Sequence, residues 1–386
     1  MEYLTAEMYA ISTLRAVFTW PLAIAFSGAA TLTAREYFRR GKWGEKLLGG
    51  LRATCLLAAA VLVVCPGIHK LLLVSAVAAG AWLASRSARR FLTVRFLQSG
   101  AAFARRTDRQ GIRRIRHIAQ ASIRFIPPLT RRVVANMRRA GVHRGGLEGE
   151  YLARAADQME FLMHILRAGY EDSGVGDQFR FDESLSHLKT AHQERRGVLV
   201  LSPHLCGYPV LPRVIAEHVP CSIYLRHSRD SGKHALNVSM GQAGGGHLVF
   251  PPVNGTPAAR LNVALGVLYE GRALYITPDL PRKPDKGVPV SIWNRTVHFP
   301  AGAMTMALRT GAAIVFTNWF YHDEHYHVRF EAPFWLERRG NRTAQTQQAM
   351  EAFATMMDDF LHQYPEMWWN WLDKRWTRIL RESRNA

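Results

Sequence analysis

The chain has 386 residues, enough for one large domain with an anchoring segment or for two modest domains. Hydrophobic residues make up 48%, which can bury a sizeable core, and no repeat or low-complexity tract interrupts the chain; this excludes a disordered or fibrous class. The 50 Lys and Arg against 30 Asp and Glu give a formal charge of +20, which points to an anionic partner: nucleic acid, anionic lipid or an acidic protein.

From Ala16 to Ala34 no residue is charged, and Arg35, Arg39, Arg40 and Lys42 follow. That run is about the length of a spanning helix, although Pro21, Ser27 and Gly28 weaken it. The basic cluster follows the apolar run instead of preceding it, so a cleaved signal is not expected. A second apolar region, Ala53 to Ser85, is broken at Pro66-Gly67 and at His69-Lys70, with arginines at both ends. It reads as a re-entrant hairpin or tight helix pair with both ends in the cytoplasm. A buried hairpin of a soluble domain is the alternative. Residues 1–100 are thus expected to form a helical membrane-associated region, and 101–386 a separate domain.

The stretch from Arg86 to Arg144 is rich in arginine and holds a single acid, Asp108. Beside an apolar segment it suits anionic headgroups, each charge contributing about 1 kcal/mol. Aromatic residues are not interleaved there in a stacking pattern and no nucleic-acid module is recognisable, so nucleic acid is not the expected partner.

From Gly197 the pattern changes. Val198-Leu201, Ser222-Leu225, Leu248-Phe250 and Ala273-Ile276 are short apolar runs typical of buried strands. Helix-like stretches lie between them, Leu211 to His218 and Ala258 to Glu270. This alternation predicts an α/β fold with a largely parallel sheet. Two hairpins should follow, turning at Asn294-Arg295 and at His322-Asp323-Glu324-His325. Thr343 to Gln363 reads as a helix with Met350, Phe353, Ala354, Met357, Phe360 and Leu361 on one face, ended by Pro365.

His204 is the first chemical candidate. It lies in Ser202-Pro203-His204-Leu205-Cys206-Gly207-Tyr208, just past a strand and before a helix, where open α/β sheets gather ligands. An imidazole there could take a proton from an attacking hydroxyl, or it could be a structural histidine in a turn. Cys206 could be a nucleophile or a small buried thiol. The four cysteines, Cys55, Cys65, Cys206 and Cys221, form no CxxC pair and ask for neither disulfides nor zinc. His322, His325 and His327 are a poor metal site without further ligands. Gly241 to Gly246 lacks a nucleotide-binding spacing and reads as a loop. Trp368, Trp369, Trp371 and Trp376 suit a core, a membrane interface or both.

The segment around His204 resembles the central motif of the lysophospholipid acyltransferase superfamily, in its lipid-A branch of lauroyl and myristoyl transferases. That motif is a strand, a histidine, four residues and an acid. Tyr224-Leu225-Arg226 is similar to the family's next strand ending in arginine, and Ile276-Thr277-Pro278-Asp279 to its strand ending in aspartate. Val297 to Ala303 and Ala307 to Ala312 resemble a later glycine- and alanine-containing block. Pro365-Glu366 and Trp369 to Trp376 resemble the family's tryptophan-rich C-terminal motif, and Asn136 its opening segment. The order of these motifs is more specific than any one of them.

The resemblance implies a glycerolphosphate-acyltransferase-like mixed sheet flanked by helices. It implies acyl transfer from acyl carrier protein or coenzyme A to a hydroxyl of a lipid A-like or related lipid acceptor, at the cytoplasmic face of the inner membrane. No cofactor or metal is expected, because a thioester is already activated. His204 would be the general base, with Gly302 by the substrate and Arg226 binding phosphate or the carrier's pantetheine arm, a surface arginine being the alternative; Arg282 and Lys283, which follow Asp279, suit an acidic headgroup or carrier protein, or a solvated loop. The chain departs from the motif at one place: Pro209 stands where the family has its acid. Proline can neither orient an imidazole nor stabilise its cation. Asp279 is the first substitute, with Glu217 and Asp230 behind it. A non-catalytic relative that binds lipid or a partner enzyme, and transfer to a specialised metabolite, are the alternatives.

Overall fold

The computed structural model describes residues 102–124, 127–225, 238, 247–250, 256–337 and 339–382. All of them belong to one compact unit, Leu97–Ala386. The expected apolar segments Ala16–Ala34 and Ala53–Ser85 lie outside the described residues, as do Arg226, Asp230 and Gly241–Gly246. Among the described residues, no helix is long and apolar enough to cross a membrane.

Three helices come first: α1 (Arg109–Arg124), α2 (Pro127–Ala140) and α3 (Leu147–Ala168). The remainder alternates. In order it runs β1 (Phe179–Phe181), α4 (Leu185–Gln193), β2 (Val198–Leu201), α5 (Leu211–Ala216), β3 (Cys221–Tyr224), β4 (His247–Val249), α6 (Pro257–Tyr269) and β5 (Ala273–Ile276). A hairpin follows, β6 (Val288–Ile292) and β7 (Arg295–Phe299), then α7 (Gly302–Thr310), β8 (Ala313–His322), β9 (His325–Phe330), α8 (Arg342–Gln363) and α9 (Lys374–Ile379).

Seven strands form one mixed sheet in the order β1-β9-β8-β2-β5-β3-β4. The pairs within β8-β2-β5-β3-β4 are parallel, and β8–β9 is antiparallel. β2 is central and every residue of Val198–Leu201 is fully buried. That burial explains why β2 is an unbroken aliphatic run: a parallel strand covered on both faces has no polar side. The registers Leu201↔Ile276 and Leu201↔Phe316 bring the carboxyl ends of β2, β5 and β8 level.

The first hairpin turn is shifted from its expected place and the second is tighter. The first turns at Trp293-Asn294, one residue earlier than expected, and the second at Asp323-Glu324. All four residues have positive φ, the requirement of a two-residue turn that matches strand twist. Burial of Trp293 against Trp368, Trp371 and Trp376 favours the earlier turn, at the cost of a left-handed tryptophan. Trp368, Trp371 and Trp376 are fully buried, so these three are core; Trp369 is partly buried. On α8, Met350, Phe353, Ala354, Met357, Phe360 and Leu361 are all buried, and the Asn341 side chain caps its start by accepting from Ala344 N at 3.0 Å.

Gly197 leads into β2 with φ of +77°, and a Cβ on it would lie 2.5 Å from Leu268 O. Gly197→Ala should therefore destabilise the domain by about 2 kcal/mol or more, through positive-φ strain and overlap with backbone. Denaturant unfolding followed by tryptophan fluorescence measures this; a loss below about 0.5 kcal/mol would refute the close approach.

Candidate active site

The register of β2 and β5 sets His204 and Asp279 side by side. Each lies three residues past the end of its strand, β2 or β5, and those ends are level and adjacent. Ser202 N continues the ladder to Ile276 O at 3.2 Å. His204 Nδ1 hydrogen-bonds Asp279 Oδ1, and the His204 backbone N–H donates to Asp279 Oδ2 at 2.9 Å. Trp368 Nε1 and Asn370 Nδ2 donate to the same Oδ2 at 2.8 and 3.0 Å. Trp376 Nε1 donates to the Asp279 carbonyl at 2.9 Å.

Asp279 is fully buried while the His204 side chain keeps 13% exposure, so only the histidine can meet a substrate. Burial alone pushes the Asp279 carboxyl up. The facing imidazole and the hydrogen bonds from His204 and Trp368 outweigh that, and hold the carboxyl below its ordinary value. An acceptor-only carboxylate on Nδ1 puts the neutral ring's proton on Nδ1 and leaves Nε2 with its lone pair. Nε2 then faces the Thr277 hydroxyl at 3.0 Å. Tyr208 packs its ring edge-on to the imidazole at 4.9 Å. Burial, then the Asp279 charge, raises the Tyr208 phenol to about 12, so it stays neutral.

The loop carrying His204 is held from several sides. Leu205 pairs with Trp368 in an antiparallel bridge, Cys206 N donates to Met367 O at 2.6 Å, and Trp369 N donates to His204 O at 2.8 Å. From β8, Trp319 Nε1 donates to Cys206 O at 2.8 Å; from α3, Gln158 Oε1 accepts from Gly207 N at 3.0 Å. Pro209 sits in the turn closed by Val210 N to Gly207 O at 2.9 Å, so the position of the missing acid is part of the route into α5.

The other candidates divide clearly. Glu217 accepts from the Tyr170 hydroxyl at 2.6 Å and lines a cleft of about 240 Å³ with Glu171, Asp177 and His218; it is not the partner of His204. Asp230 and Arg226 lie outside the described residues. Arg282 and Lys283 are exposed in the loop after Asp279, and Arg282 N donates to His298 O at 2.8 Å. Gly302 opens α7, and a Cβ on it would meet nothing within 4 Å. Cys206 is fully buried and burial pushes its thiol up, away from the reactive thiolate. His325 hydrogen-bonds Arg180, and among the described residues no cluster could hold a metal ion.

In the sequence, Thr277, Asn370 and Trp376 stand within the family-like motifs and Trp368 within the tryptophan cluster, and none of them had a task at the site. A signal existed for Thr277, a hydroxyl in the same short loop as the acid. Nothing local marks Trp368 and Asn370, which reach Asp279 across some ninety residues of chain.

The sequence profile of the bacterial lipid A biosynthesis acyltransferase family matches residues 158–378. The chain belongs to that family. No curated protein matches the sequence. The family supports an acyltransferase, and its matched region contains every residue of the His204–Asp279 array just described.

Asp279→Asn would place an amide among three donors that now point at Oδ2. We expect a stability loss of about 3 kcal/mol, the usual cost of breaking a buried pair. Because the folded carboxyl holds its proton less tightly than the unfolded one, its contribution is complete above about pH 3.9 and drains away as the pH falls through the lower folded value. Denaturant melts at a series of pH values should show this acid-side slope in the wild type and a shallower one in the variant.

Proposed function

We propose that this chain is a membrane-associated acyltransferase. It takes a fatty acyl chain from an acyl thioester, of acyl carrier protein or coenzyme A, and passes it to a hydroxyl of a lipid A-like or related lipid. The observation that carries the reading is the carboxylate on His204 Nδ1, at the carboxyl ends of adjacent parallel strands in a member of this family. Asp279 fixes the tautomer and stabilises the imidazolium. Bare Nε2 takes the hydroxyl proton, the oxygen attacks the thioester carbonyl, and the thiol leaves with the proton returned from Nε2.

Pro209 is the feature that favours a non-catalytic lipid-binding relative. An enzyme differs from such a relative in having a carboxylate on the histidine and an apolar groove leading to it. Asp279 supplies the first, which supports the enzyme.

Seating at the cytoplasmic face of the inner membrane is part of the same proposal. It is supported by exposed arginines on the first helices, among them Arg109, Arg113, Arg114, Arg131 and Arg138, which suit anionic headgroups. Arg131, Arg138 and Arg139 border a cleft of about 410 Å³ floored by Val134 and Ala135.

The test is acyl transfer by purified protein in detergent, offering labelled acyl carrier protein and acyl-coenzyme A with a panel of lipid acceptors. His204→Ala should lower transfer by about 10²-fold or more, the usual contribution of a general base. Equal lipid binding by both proteins, with transfer by neither, would support the non-catalytic relative instead.

A further inference from the structure

Thr277 holds its hydroxyl on the nitrogen that the reaction needs. It is the first residue past β5, it is partly exposed, and its Oγ1 lies 3.0 Å from His204 Nε2. With the ring proton on Nδ1, facing Asp279, Nε2 can only accept, so the Thr277 O–H donates to it. Pro278 biases Thr277 toward extended backbone, which helps to place this hydroxyl before any substrate arrives. The His204 side chain nevertheless keeps 13% exposure, so solvent has access to the ring.

A histidine that can deprotonate a lipid hydroxyl can also deprotonate water, and a thioester is open to both nucleophiles. In hydrolysis one water proton passes to Nε2, the water oxygen bonds to the carbonyl carbon, the carbonyl–sulfur bond breaks, and the thiol leaves with that proton. Thioester and water become a carboxylic acid and a thiol, and the acyl group is lost to the lipid. We propose that Thr277 sets the specificity of the site for an alcohol over water by occupying Nε2 until the acceptor displaces it. The inference rests on His204 being the base and keeps the direct attack by the lipid hydroxyl. A tethered hydroxyl is already oriented toward the nitrogen, an advantage that free water lacks. Water has only its own hydrogen bond with which to replace it. A lipid acceptor adds the contacts made by the rest of its molecule, and that binding energy drives the exchange. A purely packing role for Thr277 needs no hydroxyl, since valine fills the same volume.

The test uses full-length protein in detergent with labelled acyl-coenzyme A and acyl carrier protein thioester. Free fatty acid and acylated lipid are separated and counted, without and then with the lipid acceptor panel. Thr277→Ala opens Nε2 and should release free fatty acid about 3- to 10-fold faster than wild type when no acceptor is present, the range that one hydrogen bond allows. With acceptor, its ratio of hydrolysis to transfer should rise by a similar factor. Thr277→Ser, which restores the hydroxyl, should return both readings to within about twofold of wild type. Combining Thr277→Ala with His204→Ala should abolish the added hydrolysis, because it runs through Nε2; a general loosening of the loop would not depend on the imidazole. A Thr277→Ala protein that hydrolyses within about twofold of wild type, a Thr277→Ser protein as leaky as the alanine variant, or added hydrolysis that survives without His204 would overturn the inference. If His204→Ala alone is inactive in transfer in those cases, the base reading stands by itself. Undiminished transfer by His204→Ala removes both.

Discussion

A fully buried carboxylate is stable only where donors or a cation replace its water, because desolvating a lone ion costs several kcal/mol. Asp279 meets that condition with both oxygens occupied. Oδ1 takes the His204 ring, and Oδ2 takes the His204 backbone, Trp368 and Asn370. The carboxylate is thereby a joint between three parts of the chain: the loop after β2, the loop after β5 and the tryptophan-rich C-terminal segment. The same contacts that make its burial tolerable fix the imidazole's orientation, so the C-terminal segment is part of the site.

This arrangement gives His204 a carboxylate partner although position 209 is proline. An acid on the histidine's own loop must fold back to reach the ring. An acid at the same level on the neighbouring parallel strand is delivered by the sheet, since β2 and β5 are in register and both residues are three positions past the strand end. Position 209 is then free to shape the turn into α5. The indole groups of Trp368 and Trp376 serve two purposes, closing the core around Trp293 and donating to the carboxylate and carbonyl of Asp279. Removing either indole should disturb the histidine without touching it.

The central strands were legible because a parallel strand buried on both faces must be uniformly aliphatic. Val198–Leu201 and Ala273–Ile276 stand where the sequence placed them, and the buried face of α8 follows its periodicity. Asp279 was legible as a carboxylate that could meet His204 because it too follows a strand. The helices α1 to α4 gave little warning: α1 and α2 are rich in arginine, and ion pairs such as Arg116 with Asp157 and Glu160, not an apolar stripe alone, join α1 to α3. β1 has three residues, too few for a period to show. The turn at Trp293-Asn294 was displaced because a distant tryptophan cluster, invisible locally, decides which residue is buried. The donors to Asp279 were hidden for the same reason.

The central claim is that Asp279 sets the tautomer of His204. It is tested most directly by nitrogen NMR of protein labelled in its histidines, with His204 assigned by substitution. The account predicts that the neutral His204 ring carries its proton on Nδ1 and is bare on Nε2, and that this preference is lost in Asp279→Asn. A ring protonated on Nε2, or a tautomer unchanged by Asp279→Asn, would contradict it.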